Sequence, residues 1–180
     1  MARDLNHQWA VKFSQQSQID YRLANEIFQA IQPSRPQGMT LTGSASTYWA
    51  VVVSFSLQSI EKALKALVFH VEGFSNPVLT HDIATFIRRR RRKTKQYIEQ
   101  YGLLSSQQWE DCIEVLGYAP TKDETLPNSE YPFFDRGTQA VRLPSDYFAS
   151  RQPQVAKAKR AAGLLVDKIS KFIRASEWAP

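Results

Sequence analysis

The stretch FIRRRRRKTKQYI, residues 86–98, holds seven basic side chains and no acid between Arg88 and Lys95. The whole chain has a formal net charge of +6, so the positions outside that stretch sum to −1 and the basicity is local. One concentrated positive spot is the electrostatic footprint of a protein that meets phosphates. The same composition also suits a solvated surface or a docking face for an acidic protein patch. Six consecutive basic residues, Arg88, Arg89, Arg90, Arg91, Arg92 and Lys93, cover more than one helical turn and repel each other at the i,i+4 spacing. The expectation is a helix that frays there unless an anion arrives.

A second set of polar residues interrupts the most apolar segment, YWAVVVSFSLQSIEKALKAL. Gln58 and Lys62 are four apart, as are Glu61 and Lys65, in the order that supports a pair along a helix. Two readings are open: structural ion pairs, or lysine point charges offered to phosphate with Gln58 adding a hydrogen bond. The chain has three histidines, His7, His70 and His81, so acid–base or metal proposals have few candidates. Thr80, His81 and Asp82 sit where a helix should start, as a cap or as an anion site built on the helix N-terminus. His70 reads as a packed or interfacial ring. Cys112, the single cysteine, lies in the helical pattern WEDCIEVLG and reads as an inert buried thiol. Glycine-rich phosphate loops, paired-cysteine metal boxes, His-Glu-x-x-His and nucleophile elbows are absent from the sequence, and no catalytic residue, metal ligand or cofactor is assigned.

The elements that must position these residues follow from periodicity. Residues 14–31 place Ile19, Leu23, Ile27 and Ile31 four apart, with Ala24 and Phe28 beside them, predicting a helix closed by Pro33 and Pro36. After a loop at 33–46, Val53, Leu57, Ile60, Leu64, Leu67 and Val71 form the seam of a long helix that Gly73 stops. Its first half is apolar almost all round, which predicts burial at the centre and in a subunit contact. A third helix is expected from about residues 80–82 through the basic run. A fourth is bounded by the capping-box pair Ser105 and Gln108 and by Gly117, with Trp109, Cys112, Ile113 and Leu116 inward. Residues 118–149 read as a long irregular connection, a kind of segment that is usually functional or disordered. The last helix, expected to be capped by Ser150 with Pro153 in its first turn, repeats Val155, Ala158, Ala162, Leu165, Ile169 and Phe172 as a bundle seam. The inferred class is all-α, an antiparallel bundle of four to five helices forming a single domain over residues 1–180.

At 180 residues a chain buries roughly two-thirds of its unfolded surface without disulfides or a metal. The opening MARDLNHQWAVKF does not resemble a secretory signal, and the longest apolar stretch is about half of what a bilayer requires, so no membrane partner and a cytoplasmic location are expected.

The run YWAVVVSFSLQSIEKALKALVFHVEG followed by LTHDI resembles the HEPN family (higher eukaryotes and prokaryotes nucleotide-binding). That family's central helix reads aromatic, apolar, then Gln-x-x-Glu-Lys-x-x-Lys-Ala, and is followed by Thr-His-Asp and an apolar residue. Gln58, Glu61, Lys62, Lys65, Ala66, Thr80, His81 and Asp82 match, and the resemblance extends over about four-fifths of the chain. It implies a helical bundle that commonly forms homodimers, binds nucleotide or RNA, and often pairs with a small nucleotidyltransferase-type protein. Some members are toxin ribonucleases that use an arginine followed by a histidine after four to six residues. This chain departs from that pattern: Arg3 and His7 have three residues between them, and Lys65 and His70 have the gap but a lysine. The reading carried forward is a non-catalytic module that binds nucleotide or RNA phosphates through Gln58, Lys62, Lys65, His81, Asp82 and residues 88–93. Its alternatives are the protein-interaction half of a toxin–antitoxin or nucleotidyltransferase pair, and a metal-independent ribonuclease.

Overall fold

The computed structural model describes residues 2–32, 45–73, 83–119, 127 and 129–177. Among them the chain forms α1 (Ala2–Ala30), α2 (Ala45–Glu72), α3 (Ile83–Gln100), α4 (Ser106–Leu116), a hairpin of β1 (Phe133–Asp135) and β2 (Ala140–Arg142), α5 (Pro144–Ala149) and α6 (Gln152–Glu177). The class is all-α, helix packed on helix. The apolar run at the start of α2 is helical, and Val53, Leu57, Ile60, Leu64 and Leu67 are all buried at the centre of the core. Gly73 ends α2 at φ +79°, a backbone conformation that glycine adopts without a Cβ penalty, and Asn6 of α1 packs where a Cβ would stand.

α1 runs antiparallel to both α2 and α6. Phe13 meets Phe69 and Phe28 meets Trp49 across one contact, and Ser14 meets Ser170 and Asn25 meets Lys159 across the other. The contact face of α1 includes much of the expected stripe and extends beyond it. The helix begins twelve residues earlier; Ala24 and Ile31 are buried and Ile27 and Phe28 pack on the core as expected, whereas Ile19 is 50% exposed and the further buried positions are Ala10, Ser14, Ser17 and Asp20. Small residues let the helices approach closely. At the same contact Gly163 of α6 leaves room for the Tyr21 ring, which a Cβ would meet at 2.5 Å. The buried hydroxyls of this contact are hydrogen-bonded, since Ser17 Oγ donates to the Ser14 carbonyl at 2.7 Å and the Ser14 and Ser170 hydroxyls lie 2.9 Å apart across it.

α4 starts with the expected capping box: Ser105 Oγ accepts from the Gln108 N–H, and Gln108 Oε1 accepts from the Ser105 N–H at 2.8 Å. Its inward residues are Trp109, Cys112, Val115 and Leu116. α6 buries Val155, Ala158, Ala162, Leu165 and Ile169 along its seam, with Phe172 half-buried. Ser150 does not cap α6. It closes α5, its Oγ donating to the Tyr147 carbonyl at 2.9 Å, and α6 starts after Arg151. Among its described residues the 118–149 connection, expected to be irregular, contains a hairpin and a short helix. The hairpin pairs Phe133 with Arg142, Phe134 with Val141 and Asp135 with Ala140, and buried Phe133 meets Tyr147 edge-on. α5 packs on α2 and buries Phe148. The loop at 33–44 lies outside the described residues. No helix among those described is long and apolar enough to cross a membrane.

Candidate phosphate-binding face

The two lysines of the α2 stripe end on carboxylates. Lys65 is 3% exposed and donates to Glu61 one turn earlier, while also lying 5.9 Å from the Phe13 ring centre. Lys62 does not use Gln58. It donates to Asp20 of α1, whose other oxygen accepts from Gln16 Nε2 at 3.0 Å. The stripe therefore locks α2 to α1, and Gln58 stays half-buried beside it. An anion arriving here would have to displace a carboxylate from each ammonium.

The basic run presents a different surface. The backbone of α3 is helical from Ile83 through the whole run, so the expected fraying is not seen. Arg92 and Lys93 are exposed, whereas Thr94 and Ile98 turn into the core. His81 and Asp82 lie outside the described residues, as do the side chains of Arg88, Arg89, Arg90 and Arg91.

The last turn of α2 holds α3 in place and joins it to the rest of the bundle. Glu72 accepts from the Tyr97 hydroxyl at 2.8 Å and pairs with Lys93 Nζ at 3.1 Å. That carboxylate, together with the Tyr97 hydroxyl, raises the pKa of Lys93, so the ammonium stays charged throughout the neutral range. Phe69, three residues before Glu72, carries Trp9 and Phe13 of α1. His70 lies between His7 of α1, with ring centres 6.0 Å apart, and Phe172 of α6 at 5.2 Å, which in turn packs on Tyr101 at the end of α3. Sequence reading singled out the basic run and the α2 stripe, but it missed Asp20, Glu72, Tyr97 and Trp9. Asp20 and Glu72 carried the only available signal, as acids at helical spacing beside apolar residues, and such acids are too common to single out.

His70 gives a pH prediction. Burial, and secondarily His7, hold its pKa below the ordinary imidazole value. The unfolded chain therefore takes up this proton first. Stability is lost as pH falls from about 6.5 toward the lowered folded-state value. In His70→Gln the urea midpoint should change less between about pH 7.5 and about pH 5.5 than in the parent chain. Equal acid sensitivity in both would assign the effect to other groups.

Cys112 is buried, its Sγ 3.8 Å from the Ala161 carbonyl, and burial, with a smaller contribution from Asp111, pushes the thiol up to about 12. A thiol held in that form is a packing residue and a poor nucleophile. Among the described residues no group of three or more His, Cys, Asp or Glu side chains is arranged to hold a metal ion. Comparison with models of known families, with curated proteins and with solved structures finds no match to the chain.

Proposed function

We propose that the chain is a non-catalytic helical module of the HEPN type, which holds the phosphates of single-stranded RNA along α3 with residues 88–93 as its contacts. The observation that carries this reading is the division of labour between the two basic sets. Lys62 and Lys65 are paired with Asp20 and Glu61 inside the bundle, whereas the run of α3 lies on a continuous helix that shows Arg92 to solvent and keeps Lys93 exposed although paired with Glu72. Arginine suits the task, because its planar fork pairs with two phosphate oxygens at once. The charge arithmetic agrees, since the excess positive charge of the chain is concentrated in this helix.

Fluorescence anisotropy with a labelled single-stranded RNA over a range of salt concentrations tests the reading. Each phosphate contact contributes about −0.7 to the slope of log affinity against log salt on a single strand. Replacing residues 88–92 with serine should flatten the slope by up to about 3.5. A slope that is unchanged in the variant would remove α3 from the site, and an absence of binding at low salt would overturn the function.

A further inference from the structure

Trp9 is 38% exposed, yet its indole is firmly supported. It lies near-parallel to Phe69, with ring centres 6.1 Å apart and 17° between planes, and 6.0 Å from Phe13. Phe13 and Phe69 stack on each other at 5.5 Å and 14°, and Phe69 is fully buried. The three centres are roughly equidistant, so the rings form a compact cluster with Phe69 buried, Phe13 half-buried and Trp9 at the surface. Beside Trp9 is an open cavity of about 480 Å³ lined by Leu5, His7, Gln8, Trp9, Val11 and Lys12. Exposed Lys12 is three residues from Trp9, on the neighbouring part of the same helix face.

Position and charge identify what this surface fits. Phe69, which contacts Trp9, and Glu72, which holds Lys93, are three residues apart and so are neighbours on the surface of α2. The aromatic cluster and the basic helix thus both contact the last turn of α2. Aromatic rings set next to cations suit a single strand, because every base has a π-face to stack while the backbone phosphates pair with the cations. We infer that Trp9 is a stacking platform for an unpaired base of the RNA strand whose phosphates follow α3. The inference rests on the reading of α3 as the phosphate site and adds that the strand must be single and must carry bases. A duplex, whose bases are already stacked, would not use it.

The test compares a labelled single-stranded RNA of about twelve nucleotides, enough for one site of this type, with an abasic ribose-phosphate chain of the same length, on the full chain. The parent protein should bind the base-bearing strand more tightly than the abasic one. Trp9→Ala should weaken binding to the base-bearing strand by about 5- to 150-fold, leave abasic binding and the salt slope as they were, and so erase the preference. Trp9→Phe keeps an aromatic face and should retain most of the preference, which separates stacking from a general loss of packing. Equal binding of both strands by the parent protein, or an unchanged preference in Trp9→Ala, would overturn the platform while leaving the phosphate site standing. Failure of the parent protein to bind either strand would instead remove the phosphate site and the platform together.

Discussion

Lys65→Ala is expected to lower the unfolding free energy by about 3–5 kcal/mol, read as a lower urea midpoint at unchanged slope. The magnitude follows from where the pair sits. The Lys65 side chain is 4% exposed and that of Glu61 14% exposed, so removing the ammonium strands a carboxylate that little water can reach. Replacing both partners with apolar residues of similar volume, Glu61→Leu with Lys65→Met, should restore most of the loss, because no buried charge then lacks a partner. The measurement also bears on function. A loss below about 1 kcal/mol is the size seen for solvated surface pairs. That result would mean that Lys65 is free to serve an anion, returning the α2 stripe to candidacy as a phosphate site.

Phe148→Ala should be as damaging, at about 3–5 kcal/mol. For a chain of this size the melting temperature would fall by roughly 6–20 °C. Phe148 is fully buried, meets Tyr118 and Tyr147 edge-on at 5.2 Å each, and anchors α5 on α2. The void left behind would be lined by residues of three separate segments that cannot all close on it. Val141→Ala, at a position 72% exposed on the neighbouring hairpin, is the matched control and should stay within about 0.5 kcal/mol. If the two variants behaved alike, the end of the 118–149 connection would be an appendage of the bundle and not part of its core.

These two sites mark what could be read ahead of the structure. The Glu61–Lys65 pair was legible because it is local: two side chains four apart on one helix meet wherever that helix goes. The partner of Lys62 was not, since Asp20 lies 42 positions away and only the packing of α1 on α2 brings it there. The seams of α2 and α6, the capping box of α4 and the glycine stop of α2 were legible for the same local reason. The α1 seam was legible in its second half, where Ala24, Ile27, Phe28 and Ile31 meet the core. In its first half Ala10, Ser14, Ser17 and Asp20 were missed, because serines carry little weight on a hydropathy scale whereas a close helix contact selects for small side chains. The hairpin and α5 were hidden in a segment whose prolines and aromatics break periodicity.

The sequence by itself determined the helical class, most helix positions and the concentration of positive charge in residues 88–95. Periodicity and charge are properties of neighbouring residues, so they need no knowledge of distant ones. Only the tertiary structure decided which cations are spent inside the bundle and which remain at its surface. It alone set Trp9, Phe69, Glu72 and Lys93 around a single turn of α2. These choices depend on contacts between segments far apart in the chain, and packing fixes them.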